Sequence, residues 1–292
     1  MKKILLIALT AITCCNSYAL STTEKGKTKK ITVVDYLIEK EHTQLPAISA
    51  DEEDNVDTVA YEVGNKTIAT TNKVYFLYNE KGQLATLTSV KTDNDREQSN
   101  YTTLFYYDDN NLLTSVFCTK DNASNTLDYA DGKVRHIVYK ERGRSWSMTS
   151  TIEQGGDDRP FMMEIKNSDT NYRPREIVVE YDQKLNAIGI TTNDNKETYS
   201  FDNKRNPFDY LPFAFNMNIF LMPEELMYTN YVPKNNIVKL DREEWIETTS
   251  YTYNSKNLPQ TAKTMQRMKG SDYYYYPIYE YEYFYKEIEI VE

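Results

Sequence analysis

One unit recurs along this chain and limits what it can fold into. An aromatic-rich stretch ends in Tyr-Asp or Tyr-Asn, a short polar run follows, and a second stretch opens with an aliphatic residue. Copies stand at Val74-Tyr75-Phe76-Leu77-Tyr78-Asn79-Glu80-Lys81-Gly82-Gln83-Leu84 and at Leu104-Phe105-Tyr106-Tyr107-Asp108-Asp109-Asn110-Asn111-Leu112-Leu113. Others are Glu180-Tyr181-Asp182-Gln183-Lys184-Leu185, Ser200-Phe201-Asp202-Asn203-Lys204 and Thr252-Tyr253-Asn254-Ser255-Lys256-Asn257-Leu258-Pro259. Tyr129 to Val134 is a variant with Asp131-Gly132 at the turn. Aromatic and β-branched residues suit a pleated, half-buried surface. Asp or Asn after the strand can bond its own backbone and start a turn. Gly82, Asn111, Gly132 and Asn257 fall where a positive φ is needed, so each unit predicts a hairpin.

Spacing between units is uneven, within the range of about 20 to 50 residues that marks repeat arrays. The expectation is an all-β fold with little helix: an antiparallel meander of hairpins forming one large twisted sheet. Residues 1–19 read as a signal peptide, 20–73 as an N-terminal stalk with the first strands, and 74–292 as the repeat domain. Residues 35–41 fit either strand or helix. A turn or two of helix is expected after Pro223, where Glu224 and Glu225 suit a helix N-terminus. Asp51 to Asp57, Asp93 to Asn100 and Gln154 to Pro160 read as loops.

Lys2 and Lys3 precede an apolar stretch, Ile4 to Ile12, too short to span a bilayer, and Ser17-Tyr18-Ala19 offers small residues at a cleavage site. The alternative is a lipoprotein signal with Cys14 or Cys15 acylated, although Thr13 and Cys14 precede them in place of the usual small residue. Either reading exports the chain, to the periplasm or the outer-membrane surface. Cleavage after Ala19 leaves Cys118 as the one thiol, which cannot form an internal disulfide and reads as a buried, inert side chain. With 34 Lys and Arg against 44 Asp and Glu, the chain is acidic and disfavours nucleic acid as a partner. The basic run Lys25, Lys27, Lys29 and Lys30 reads as a solvated stalk.

The Tyr-Asp turns resemble the YD (RHS-like) repeats of bacterial surface proteins. The C-terminal half is similar to exported bacterial domains of unknown function, a family of YD-like envelope lipoproteins. The likeness rests on Phe201-Asp202-Asn203-Lys204-Arg205-Asn206-Pro207-Phe208, then Asn235-Asn236-Ile237, then Tyr251 to Pro259. It covers about residues 175–285 and, more weakly, reaches back to about 74. The resemblance implies an antiparallel β fold and an envelope location, and it carries over no catalytic residues. The chain departs from the family in its lipobox and from RHS shells in its irregular spacing.

The residues give little chemistry. His42 and His136 with one mature cysteine offer no zinc spacing, and Gly155-Gly156 precedes acids, so it cradles no phosphate. No cofactor and no metal site is expected. Asp93-Asn94-Asp95-Arg96-Glu97 lacks the glycine and distal glutamate of a calcium loop. The unusual stretch is the tail, where Tyr279, Tyr281, Tyr283 and Tyr285 alternate and share one face of a strand. After Lys286 the parity flips to Ile288 and Ile290, which predicts a bulge near Lys286-Glu287 or burial of both faces. The tyrosines read as a cross-strand ladder. The sharper alternative is a glycan-binding platform built with Trp245, Tyr251 and Tyr253.

The sequence therefore points to a non-enzymatic cell-envelope protein that is structural or binds a partner, either an envelope protein or a glycan. A hydrolase with its site on the apolar insertion between Pro207 and Asn236 is the remaining alternative.

Overall fold

The computed structural model describes residues 28–43, 68–93, 96–155, 160–209, 233–269 and 276–291. They form sixteen strands, with no helix among the described residues. The first half holds β1 (Thr28–Thr43), β2 (Ile68–Tyr78), β3 (Leu84–Asp93), β4 (Arg96–Tyr107), β5 (Leu113–Cys118), β6 (Ala123–Ala130), β7 (Lys133–Glu141) and β8 (Ser147–Gln154). The second holds β9 (Pro160–Asn167), β10 (Arg175–Tyr181), β11 (Ala187–Thr192), β12 (Asn195–Arg205), β13 (Asn235–Asp241), β14 (Trp245–Tyr253), β15 (Pro259–Met268) and β16 (Tyr276–Val291). The signal segment, Cys14, Cys15, the acidic stretch Asp51 to Asp57 and the helix expected after Pro223 lie outside the described residues.

Each strand pairs antiparallel with its sequence neighbours, and β1 pairs with β16. The meander therefore closes into a barrel and is not the open twisted sheet that the hairpin pattern predicts. Closure removes the two strand edges that an open sheet would expose. Residues 35–41 are strand, and β1 runs beside β16 from Thr28↔Val291 to Glu41↔Tyr279. Lys29 and Lys30 of the basic run lie in β1 and not in a solvated stalk, with Lys30 3.6 Å from Glu289. Asp93 to Asn100 is also mostly strand, with only residues 94 and 95 between β3 and β4.

Alternation gives the wall two unlike faces. In β6 Ala123, Asn125 and Leu127 are buried while Thr126 and Asp128 are exposed. The inward set makes one apolar core through Val34, Leu37, Val74, Phe76, Leu87, Phe105, Ile137, Ile152, Ile177, Ile190 and Leu240. Phe76, Leu84 and Leu87 are 0% exposed, so among the described residues this part of the interior is closely packed with side chains. Lys263 and Glu280 (3.2 Å), Lys40 and Glu282 (3.5 Å) and Lys91 and Glu41 (3.4 Å) pair on the outer face. Glu180 and Lys196 (2.9 Å) bridge across β11 over Gly189, where a Cβ would stand 2.9 Å from the Glu180 carboxylate.

Even-numbered strands turn into odd-numbered ones at one end of the barrel, and after β2, β4, β10 and β14 they do so through the same turn. Asn79 Oδ1 accepts from the amides of Lys81 and Gln83, and Asp108 Oδ1 from those of Asn110 and Leu112. Asp182 does the same for Lys184 and Asn186, and Asn254 for Lys256 and Leu258. Three residues after each Asx the backbone is left-handed: Gly82 (φ 76°), Asn111 (67°), Leu185 (74°) and Asn257 (58°). The bonds explain the recurring Tyr-Asx signal, since the Asx side chain satisfies two amides that no strand partner reaches.

The bulge expected near Lys286-Glu287 lies instead on the partner strand, between Val34 and Tyr36. There β1 and β2 separate beyond Tyr36↔Tyr75. Lys286 Nζ occupies the gap, 2.7 Å from Asp35 and donating to the Phe76 carbonyl at 3.3 Å. The parity flip marks burial of the second face: Ile31, Ile288 and Ile290 pack at the Gly82 turn.

Candidate functional site

Three places on the barrel bring polar or aromatic side chains together. The first holds the predicted tyrosines. Tyr279, Tyr281 and Tyr283 form a ladder with ring centroids 6.1 and 6.3 Å apart. Tyr281, Tyr283 and Tyr285 pack against the core, so the ladder lines the interior and presents no outward platform. Burial, with Glu39 nearby, pushes the hydroxyls of Tyr281 and Tyr283 well above the usual phenol range. Burial, followed by Glu41 and Glu39, does the same to Tyr279.

Hydroxyl groups of this kind need partners, and neighbouring strands supply them. Tyr78 donates to the Val34 carbonyl, Tyr107 to Leu84 and Tyr129 to Leu113, each at 2.8 Å. Tyr251 donates to Ile237 at 2.9 Å and Tyr285 to Pro259 at 2.6 Å. In every case an even-numbered strand reaches the odd-numbered strand before it. Tyr253 instead donates to the Asp202 carboxylate, which also accepts from Asn236 and from the Lys204 amide. Asn236 is 1% exposed. Asn235 continues this network to the Lys204 carbonyl (2.8 Å) and to Asn186 (3.0 Å). The Asn235-Asn236 step thus clamps the two ends of the excursion between β12 and β13.

The second place is the opposite rim. Trp245 stands at the far end of β14 from Tyr253, so the structure separates two residues that the platform reading joined. Arg242 lies 5.9 Å from the Trp245 ring, 3.0 Å from Glu197 and 3.6 Å from Glu247. Tyr199 donates to Glu197 at 2.5 Å and Gln266 to Glu247 at 3.3 Å. Burial raises the Glu247 carboxyl, and Arg242 and Gln266 partly offset it. Both carboxylates are engaged by one guanidinium, an arrangement that holds the rim together.

The third place was not singled out from sequence. On the outer face Phe117, Ser124, Lys140 and Ser147 form a row across β5, β6, β7 and β8. The loop after β7 rises beside this row, turning at Gly143 (φ 88°), and the Arg142 amide donates to the Asn122 carbonyl at 3.0 Å. The result is a groove of about 560 Å³ lined by Phe117, Asn122, Lys140, Arg142, Arg144 and Trp146 among others. Its one sequence signal was Lys140-Glu141-Arg142-Gly143-Arg144-Ser145-Trp146, a basic run beside a tryptophan in an acidic chain.

His136 is exposed on β7, with Nδ1 3.5 Å from Thr151 Oγ1, and does not line the groove. The side chain of His42 lies outside the described residues, as does most of the apolar insertion. Cys118 is a free, half-buried thiol.

No family model and no curated protein matches the chain. Among solved structures it is similar to a porin-like protein from Bacteroides uniformis ATCC 8492, with 16% identity and a TM-score of 0.56 over 87% of this chain and 96% of that one. It is also similar, at 12% identity and TM-scores of 0.23 and 0.25, to a Photorhabdus luminescens Tc holotoxin pore and to a TcdB2-TccC3-Cdc42 structure. The match covers 72% of this chain and only 12% of each of those. The first likeness supports the closed antiparallel barrel.

Proposed function

We propose that this chain is a non-enzymatic, YD-like protein of the cell envelope whose barrel is a filled scaffold that binds through its outer surface. The observation that carries this reading is the polarity of the wall. A membrane-spanning barrel needs an outward apolar band about 25 Å tall, and a lysine at mid-bilayer costs about 2–4 kcal/mol. Here lysine–carboxylate pairs stand on the outward face while the apolar residues point in. The likeness to a porin-like protein and the signal-like segment Lys2 to Ala19 support an envelope address.

The test is reconstitution. Purified protein without its first 19 residues is mixed with anionic and neutral liposomes loaded with a small fluorescent dye. A filled scaffold stays in the aqueous fraction on flotation and releases no dye. Stable insertion with conductance across a planar bilayer would overturn the proposal.

A further inference from the structure

We infer that the outer groove between β5 and the β7–β8 loop is a binding site for an acidic oligosaccharide, one whose sugars carry carboxylates. Three features of the groove define this ligand. The first is charge. Glu141 also lines the groove, but its carboxylate is paired with Arg144 at 3.1 Å, and Lys140 and Arg142 have no carboxylate partner among the described residues. Two uncommitted cations in one depression are unusual for a chain of formal charge −10, and they match an anion. The second is shape. Trp146 stacks on Tyr139, with centroids 5.9 Å apart and planes 27° apart, so an indole held by a neighbouring ring lines the groove. Such an aromatic plane suits the apolar face of a sugar ring, being amphipathic and already ordered. The third is the polar remainder: Asn122, Ser124, Ser145 and Ser147 supply hydroxyls and an amide for a ligand rich in hydroxyl groups. About 560 Å³ is the size of a small-molecule site.

Other anions fit less well. A peptide would bind most simply as an added strand, but these strands are paired on both sides and leave no edge. A docked helix requires a continuous apolar trough, whereas this groove has only Phe117 and Trp146 among charged and polar neighbours. A long nucleic acid would meet the acidic remainder of the surface.

The experiment uses the chain without its first 19 residues and with Trp245→Phe, which leaves Trp146 as the one tryptophan. Its fluorescence is titrated with oligomers of galacturonate, glucuronate and mannuronate, and in parallel with neutral galactose oligomers, polyglutamate and a short single-stranded DNA. The expected result is saturable quenching by at least one uronate oligomer, weakened by salt. The neutral sugar should bind at least about tenfold more weakly. Lys140→Gln combined with Arg142→Gln should reduce affinity about tenfold or more without altering circular dichroism. Flat responses to all three uronates, or equal binding of polyglutamate or DNA, would overturn the inference. So would full affinity in the double variant. Failure here leaves the filled-barrel proposal standing, because that is decided by flotation and dye release.

Discussion

The ring of Phe208, in the connection that follows β12, packs against Phe76 on β2, with centroids 5.5 Å apart. β2 and β12 are not neighbours in the wall, so this contact joins separate parts of the barrel through its interior. Phe76 is 0% exposed and Phe208 only half-buried. Phe76→Ala should destabilise by about 3–5 kcal/mol and Phe208→Ala by about 2. Urea unfolding measures both, and an unchanged slope would show that the loss is in the folded barrel.

Asp202 gathers donors from Tyr253, Asn236 and the Lys204 amide. Tyr253→Phe removes a hydrogen bond to a charged group and should cost about 1.5–3 kcal/mol. Asn236→Ala should cost a similar amount, because it strips donors from a half-buried carboxylate. The two losses should not add: a double-mutant cycle is expected to show coupling of about 0.5 kcal/mol or more.

Tyr78, Tyr107, Tyr129 and Tyr285 each span to a carbonyl on the preceding strand. Each single Tyr→Phe change should cost about 1 kcal/mol. Tyr107 and Tyr285 share no partner, so their effects should add in the double variant. Thermal or urea midpoints of the single variants and of that pair provide the check.

Burial and nearby Asp108 push the Tyr129 hydroxyl from its ordinary 10.0 up to about 12. Burial raises Tyr251, Tyr281 and Tyr283 as well. A group with a higher pKa in the folded chain contributes stability that is fully present below the unfolded value and is lost as pH rises through the folded one. Stability should therefore hold to about pH 10 and fall steeply toward about pH 12. Tyrosinate absorbance from the interior tyrosines should appear together with loss of circular dichroism. Their ionisation in a still-folded barrel would contradict the assignment.

Leu185 occupies the left-handed position that glycine or asparagine fills in the equivalent turns. Leu185→Gly should stabilise by about 1 kcal/mol, the relief of an unfavourable φ. Gly82→Ala should act in the opposite sense, because φ is 76° and the added Cβ would stand 2.6 Å from Ile290. Both are read from chemical denaturation.

Much of this fold was legible because hairpins are local. The Asx turns at Asn79, Asp108, Asp182 and Asn254 bond within five residues of chain, so the pattern that specifies them is visible in any copy. The positive φ at Gly82, Asn111, Gly132 and Asn257 followed from the same reasoning. Leu185 was hidden because its residue type argues against the conformation that the turn imposes. The groove was missed for a related reason: Phe117, Ser124, Lys140 and Ser147 lie far apart in sequence and meet only through strand register.

The sequence by itself determined the all-β class, the turn chemistry and the tyrosine ladder of β16. Those depend on alternation and on side chains bonding their own backbone, both short-range properties. Tertiary structure decided that the sheet closes, because Lys40 and Glu282 meet across 242 positions and no local period encodes that contact. Closure in turn decided which way the tyrosines face. An aromatic strand face can meet either solvent or core, and only the curvature of the closed wall, with its apolar set inside, turns Tyr281 and Tyr283 inward.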